Sequence, residues 1–281
     1  MKKKLKHILL LFCITLVTLV PQTLNAQSKK PLNLPGYDNE RYHYGFIIGY
    51  NQMLLSIDYK DNYQNIIHSP NELPASEILS GTNDLFTSSN FRVENIIPHM
   101  TNGFTVGIVG NLRLANYFDL RLIPTLSFGE RKITYNIVSL QESIDPQDPE
   151  KTIINEVEKS ITTTTHSTFV EFPLHVKYRS KRLNNTAAYV IAGANYKIDM
   201  ASRKKNYDEN NGKPKTLNVN RHDIAAEIGA GFDFYTGYFK LGIELKMSYG
   251  LLNIAKDENF MYTNSFDNLR NKTFQLSFTF E

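Results

Sequence analysis

The sequence of 281 residues contains a single cysteine, Cys13, and no tryptophan. Cys13 lies in an N-terminal segment that is predicted to be removed. The mature chain would then have no disulfide, no thiolate nucleophile and no cysteine-ligated metal site. Its stability must therefore come from an extensive hydrogen-bonded structure rather than from covalent cross-links.

Long apolar runs are missing after the N-terminal segment. No uninterrupted apolar stretch long enough for a transmembrane helix, about 18 residues, follows residue 26. No helical periodicity of convincing length and no tandem repeat are present. These absences exclude a helical membrane protein and a solenoid, and favour an all-β fold.

Motifs for metal binding and catalysis are also missing. His166, His175 and His222 lack the H-E-x-x-H spacing of zinc sites and have no cysteine partners. No G-x-S-x-G motif occurs, and the Gly-Ala-Gly of residues 229–231 precedes no helix that could bind a dinucleotide. His166 and Ser167 would point to opposite faces of one strand. We predict no catalytic residues, no cofactor and no metal, with an outer-membrane hydrolase left open as a minor alternative.

The N-terminus has the features of a secretion signal, predicted to span residues 1–26. Four lysines precede an apolar stretch, residues 8–20, and the Leu-Asn-Ala of residues 24–26 resembles a cleavage site. The stretch is too short for a membrane anchor of about 20 residues, and Cys13 in its middle is poorly placed for a lipoprotein. Cleavage between Ala26 and Gln27 lowers the formal charge from +3 to −1, because four lysines and no acids are lost. Net charge therefore gives no argument for a nucleic-acid partner.

Residues 167–178 show the strongest pattern in the chain, a strict alternation of apolar and polar side chains. The apolar positions are Val170, Phe172, Leu174, Val176 and Tyr178, and the polar face carries Glu171, His175 and Lys177. A period of two is typical of a strand with one apolar face. About ten residues ending in an aromatic is the length of one tilted strand crossing a bilayer.

Seven further segments repeat this alternation. With residues 167–178, they predict an eight-stranded antiparallel transmembrane β-barrel over residues 42–281, preceded by a mobile periplasmic lead-in, residues 27–41. The seven are residues 42–56, 103–114, 118–128, 186–200, 223–235, 239–249 and 273–280, of which 186–200 is the least regular. Short and long connections alternate, as expected for short periplasmic turns and long outer loops. The predicted long loops are residues 58–102, 136–162, 201–222 and 253–272. A soluble or lipocalin-like barrel is the weaker alternative.

The barrel interior is predicted to hold acids and bases in similar numbers. Eight strands leave room for side chains but not for an aqueous channel. We favour a network of paired charges, because unpaired buried charge is costly, over a path for protons or substrate. The predicted network comprises Arg113, Asp119, Arg121, Glu171, His175, Lys177, Glu227, Asp233, Glu244 and Lys246.

The first long loop, residues 58–102, is unusually apolar. It includes Leu85, Phe86 and Phe91. Loops of this length without structure are uncommon unless they are functional. Either the loop docks a partner or folds over the barrel mouth, or it packs on itself as a cap; both interpretations stay open.

Four segments resemble the PorT/SprT family of Bacteroidetes. They are NLRLANYFDLRLIPTLSFGERKITY (residues 111–135), EFPLHVKYRSKRLNN (171–185), AYVIAGANYKIDMAS (188–202) and EIGAGFDFYTGYFKLGIELKMSYGLLN (227–253). The start of the barrel at RYHYGFIIGYN and the final SFTFE are similar too, whereas residues 58–102 are not matched. YFDLR and the RSKRLNN turn are the most specific of these motifs.

The resemblance implies a non-enzymatic role in type IX protein secretion, which supports gliding motility in some members. Its partners would be outer-membrane lipid and other secretion components, with no nucleic acid and no small-molecule substrate. Arg179, Lys181 and Arg182 on a short turn, together with the first long loop, are the candidate contact surfaces. The alternative is a structural or adhesive outer-membrane barrel outside any secretion system.

Overall fold

A computed structural model of the protein describes residues 31–72, 90–145, 148–203, 217–256 and 261–281. The predicted secretion signal and its cleavage site lie outside these residues. So do Leu85 and Phe86 of the first long loop.

Eleven strands form one antiparallel sheet in the described residues. Short helical turns occur at Tyr37–Asn39, Tyr63–Asn65, Pro70–Glu72, Ala201–Arg203 and Met261–Asn264. None of the described helices is long and apolar enough to cross a bilayer. The strands are β1 (Tyr42–Tyr59), β2 (Ile67–His68), β3 (Phe91–His99), β4 (Thr101–Arg113), β5 (Phe118–Leu122), β6 (Thr125–Asp145), β7 (Asp148–Arg179), β8 (Thr186–Asp199), β9 (His222–Tyr235), β10 (Lys240–Gly250) and β11 (Phe266–Phe280).

The sheet closes on itself into a barrel. β1 pairs with β11 on one side, where Phe46 lies opposite Phe280, and with β4 on the other. β5 and β6 are two pieces of one barrel strand, since both pair with β4 and with β7. The ring therefore has eight positions, and β2 and β3 lie outside it. The predicted antiparallel transmembrane β-barrel is confirmed.

The gap between β5 and β6 is caused by Pro124, which has no N–H to donate to a neighbouring strand. The remaining backbone groups stay bonded across the gap. Ile108 N donates to Pro124 O at 3.0 Å, and Ile123 N donates to Pro173 O at 3.1 Å. The interruption therefore leaves the barrel wall continuous.

Alternation along each strand sorts side chains between the outside and the inside. On β7, Glu171 is 4 % exposed and His175 is fully buried, whereas Phe172 and Leu174 are exposed. β8, which looked irregular in sequence, is a regular strand. Its inward Tyr189 and Ile191 are apolar or aromatic and buried, which is why the alternation looked blurred.

The two ends of the barrel differ in their connections. Residues 114–117, 180–185 and 236–239 are short turns at one end. At the other end β6 and β7 continue as a paired hairpin up to Asp145 and Asp148. The expectation of a loop at residues 136–162 is therefore wrong: these residues extend the sheet beyond the barrel. β3 pairs with β6 in this extension.

Exposed apolar side chains such as Phe172, Leu174 and Ile228 form a belt around the outside of the barrel. This apolar belt predicts how substitutions on the barrel exterior affect stability. Ile228 on β9 is 61 % exposed near the middle of the belt, and Ile67 on β2 is 63 % exposed outside the ring. In phospholipid vesicles, Ile228→Arg is expected to lower the free energy of unfolding by about 2–4 kcal/mol, because it puts a cation in hydrocarbon. Ile67→Arg, the matched control, is expected to change it by less than about 0.5 kcal/mol. Urea titration followed by circular dichroism measures both, and equal effects would contradict the membrane placement.

Candidate functional site: a charged barrel interior closed at both ends

The centre of the barrel is filled by hydrogen-bonded charges from four strands. His175 Nε2 lies 2.6 Å from Glu227 Oε2, and Lys246 Nζ lies 2.9 Å from the same oxygen. Asn195 Nδ2 donates to Glu171 at 2.9 Å and to Glu227 at 2.8 Å. The alternation of β7, β8, β9 and β10 directs all of these side chains inward.

A second group of pairs lies nearer the short-turn end. Arg121 donates to Glu244 at 2.8 Å, and the Tyr189 hydroxyl donates to the same carboxylate at 3.1 Å. Lys177 donates to Asp233 at 2.6 Å, and its ammonium lies 3.7 Å from the centroid of the Tyr189 ring. Acids and bases therefore pair across the interior, as the high cost of unpaired buried charge requires.

The structure places nine of the ten predicted interior residues inside the ring, where they are buried: Asp119, Arg121, Glu171, His175, Lys177, Glu227, Asp233, Glu244 and Lys246. Arg113 is the exception. It ends β4 and donates to Ala115 O at 3.4 Å and to Asn116 Oδ1 at 3.3 Å on the exposed turn.

The ten predicted residues leave out further interior residues, among them Arg131, Asn195 and Glu281. Arg131 donates to Asp199, with which it forms an ion pair, and to Asn271 at 3.2 Å. Asn195 lies within the predicted segment 186–200, on the same face as Tyr189 and Ile191. Continuing the alternation of segments 118–128 and 273–280 by three residues and by one residue would have placed Arg131 and Glu281 inside.

Small residues allow the strands to approach closely in this narrow barrel. A Cβ atom on Gly193 of β8 would lie 2.0 Å from Leu174 O on β7, and one on Gly45 of β1 would lie 2.0 Å from Phe280 O on β11. Any larger residue at these two positions would force the strands apart.

The pair of Lys177 and Asp233 gives a test of the interior network, because both side chains are fully buried. Asp233→Asn is expected to lower the free energy of unfolding by about 3–5 kcal/mol, since it leaves the lysine without its counter-charge. The double variant Lys177→Met with Asp233→Leu removes both charges and is expected to recover most of that loss. The same urea titration compares the three proteins. Equal destabilisation by the single and double variants would show that shape, not charge pairing, matters there.

The short-turn end of the barrel is closed by the lead-in segment, whose described part is residues 31–41. Asp38 pairs with Arg179 and lies 3.6 Å from Arg182, and it accepts a hydrogen bond from the Tyr235 hydroxyl at 3.0 Å. The Tyr37 hydroxyl donates to Glu281 at 3.1 Å. The expectation of a mobile lead-in is therefore wrong for these residues, because charges on the barrel rim hold them in place.

The candidate contact residues of the neighbouring turn differ in accessibility. Arg179 is 8 % exposed, and Arg182 donates to the Asn33 carbonyl and to Asn185 Oδ1. Lys181 is exposed. The turn between β7 and β8 thus presents one accessible cation, while its two arginines bind the lead-in. This corrects the expectation that all three cations form an open contact surface.

The ionisation of Asp38 predicts when the lead-in detaches. Burial opposes its negative charge, but the hydrogen bond and charge of Arg179 win and lower the pKa of Asp38. The stabilisation is fully present above the ordinary carboxyl pKa and is lost as the pH falls through the lowered value. Asp38→Asn is expected to speed amide hydrogen exchange in residues 33–39 by roughly tenfold or more at neutral pH. Glu40→Gln, an equal charge change at an exposed residue, should leave exchange unchanged; equal exchange in both variants would contradict the clamp.

The long-loop end is closed by a second, apolar core. Phe91 is fully buried there, so the prediction that it forms a contact surface is wrong. The self-packed cap is the interpretation that fits the described residues. The core contains Leu55, Phe91, Val93, Ile96, Ile133, Tyr135, Ile137, Ile161, Leu217, Val219, Ile254, Met261, Phe266 and Leu269.

The residues considered for catalysis or metal binding are separated from one another. His166 lies 3.0 Å from Glu130 on the outer surface, whereas Ser167 is buried inside. His222 bonds to the Tyr196 hydroxyl at 2.7 Å. Among the described residues, no three His, Cys, Asp or Glu side chains are arranged to hold a metal ion.

A family model described as "Outer membrane protein beta-barrel domain" matches residues 25–256. The chain belongs to this family. It is an outer-membrane β-barrel, and its apolar belt contacts membrane lipid. By the usual topology of this family of folds, the short turns face the periplasm and the hairpin of β6 and β7 faces outward.

Solved structures give only distant likenesses, and no curated protein matches the sequence. Ail of Yersinia pestis, bound to the heparin analogue sucrose octasulfate, is 10 % identical with a TM-score of 0.35, over 86 % of this chain and 98 % of that one. The outer membrane protease OmpT of Escherichia coli is 10 % identical with a TM-score of 0.33, over 90 % and 98 %. A FadL homologue of Pseudomonas aeruginosa is 11 % identical with a TM-score of 0.21, over 86 % and 90 %. At these scores none of them bears on function.

Proposed function

We propose that this outer-membrane barrel is a non-enzymatic accessory component of type IX protein secretion, acting through contacts with other proteins of the machinery. The proposal rests on the four sequence segments that resemble the PorT/SprT family. It includes removal of the secretion signal between Ala26 and Gln27 and, where the organism glides, a role in gliding motility.

The filled interior is the observation that favours contacts over transport. Charged pairs such as Arg121 with Glu244 and His175 with Glu227 occupy the space between the strands. The lead-in closes the periplasmic end, and the apolar core closes the outer end. A barrel of this width, packed in this way, offers no passage for a polypeptide.

The periplasmic rim is the better of the two candidate contact surfaces. Arg179 and Arg182 hold the lead-in against the turn between β7 and β8. A periplasmic partner would therefore meet a composite surface of Lys181 and the bound lead-in rather than three free cations. The lead-in would be a part of the binding surface, not a tether.

A structural or adhesive role is the second candidate, and the outward hairpin favours it. β6 and β7 extend far beyond the ring, and β3 widens this extension. A rigid, outward-facing sheet of this kind is suited to contact with another cell or surface. This role does not require a secretion system in the same organism.

Deleting the gene separates the two proposals. Under the secretion proposal, cargo carrying the C-terminal export signal accumulates in the periplasm, and the intact gene restores its release. Complementation with Lys181→Glu is expected to restore release only partly, because it reverses the accessible charge of the periplasmic rim. Lys132→Glu, at an exposed lysine on β6, is the matched control and should restore release fully. Normal release from the deletion strain would overturn the secretion proposal.

A further inference from the structure

Two cations lie on the lipid-facing side of β11, where its apolar face ends. Phe278 and Phe274 point outward, and the next residues of the same face are Lys272 and Arg270. Lys272 lies opposite Leu54 of β1 and Tyr249 of β10. The outward face thus changes from aromatic at Phe274 to basic at Lys272, the next outward position along the strand.

The position of these cations along the strand corresponds to the outer membrane surface. Phe280 stands at the periplasmic end of β11, and Lys272 follows eight residues further out, about 27 Å along an antiparallel strand. With a tilt of about 40°, this is roughly 20 Å along the membrane normal, close to the full height of an apolar belt of about 25 Å. Lys272 and Arg270 therefore lie at the level of the outer-leaflet headgroups.

Within the part of the chain that the structure describes, acids do not balance both of these charges. No carboxylate in the described ranges forms an ion pair with Lys272, whose ammonium lies 5.3 Å from the Phe274 ring centroid. Arg270 Nη1 lies 3.4 Å from Asp58 Oδ2. Arg270 also hydrogen-bonds to the Tyr249 hydroxyl, which is bonded to Ser56 as well. Counting the described residues, two cations thus face a single acid, with hydroxyl groups beside them.

An apolar groove of about 450 Å³ opens on the lipid-facing surface next to this cluster. It runs across β1, β11, β10 and the edge of β9. One side is formed by the row of Gln52, Phe274 and Met247, one residue pair below Lys272. The groove is apolar and faces the lipid, as a site for an acyl chain must. Its outward-facing lining is Tyr50, Gln52, Ile228, Leu245, Met247, Phe274 and Leu276.

We propose that Lys272, Arg270 and the groove below them form a binding site for the lipid A part of lipopolysaccharide. A lipid A phosphate is bound by the two cations, with Tyr249 as a further hydrogen-bonding group, and an acyl chain lies in the groove. The cations lie at the depth of the outer-leaflet headgroups. Because lipopolysaccharide forms the outer leaflet of the outer membrane, it is the expected ligand rather than a phospholipid. The site is independent of the secretion proposal and depends only on the membrane orientation of the barrel.

Native mass spectrometry of the folded barrel with added bisphosphorylated lipid A tests the cations. The double variant Lys272→Gln with Arg270→Gln is expected to weaken lipid A binding by about tenfold. Lys132→Gln, which removes an exposed cation at the same end of the barrel, should bind as the unaltered protein does. Phosphatidylglycerol should bind equally to all three proteins. Unchanged lipid A binding by the double variant, or an equal loss of phosphatidylglycerol binding, would overturn the lipid A assignment.

A groove variant keeps the test independent of the charges. Leu276→Trp fills the groove while both cations remain. It is expected to weaken binding of acylated lipid A several-fold and to leave binding of the fully deacylated, phosphorylated sugar unchanged. Loss of both ligands, or of neither, would count against an acyl chain in this groove. Circular dichroism and resistance to unfolding on gels establish that each variant is folded.

Discussion

The pairing of β1 with β11 is the interaction on which the rest of the structure depends. It leaves β1 bonded on both sides, to β11 and to β4, so the eight-position ring has no open edge within the belt of lipid-facing residues. Hydrocarbon offers no partner to an unpaired N–H or C=O group, so a sheet can cross a membrane only when it is closed. Closure also sets the width of the barrel, and with it the space that inward side chains must fill.

The interior is filled with charges rather than with apolar groups, which makes pairing obligatory. Glu227 alone is bonded to His175, Lys246 and Asn195, so each strand is tied to several others by charge as well as by backbone. The same rule operates at the periplasmic rim, where Asp38 of the lead-in is the ion-pair partner of the buried Arg179. Because paired charges line the interior, the surfaces that we consider for function are the two ends and the lipid-facing belt.

The alternation of apolar and polar residues was sufficient to identify the barrel and most of the side chains that line it, because a strand with lipid on one face carries an apolar residue at every second position. It failed where that rule does not apply. Tyr189 and Ile191 are apolar and yet point inward, so β8 looked irregular. Residues 136–162 are paired strands in water, where the outward face need not be apolar.

Other features could not be found from local patterns, because they depend on contacts between distant residues. Asp38 and Arg179 are 141 positions apart, and nothing near Asp38 in the sequence indicates its partner. Phe91 shows a different ambiguity: an apolar residue in a long loop suits a buried core and a docking surface equally well. Only its place among Ile133, Ile137 and Leu269 decides for the core.

One part of the sheet is embedded in lipid, and the part that carries the outer apolar core lies beyond the membrane, in water. Ile133 stands fifteen residues beyond Phe118 on the strand formed by β5 and β6, about 50 Å along the chain, well past a belt of about 25 Å. Its burial is driven by the exclusion of water, which weakens on cooling and carries a large heat-capacity change. The lipid-embedded part of the same strand is held mainly by backbone hydrogen bonds and has no such dependence. The stability of the cap is therefore expected to depend on temperature in a different way from that of the membrane wall.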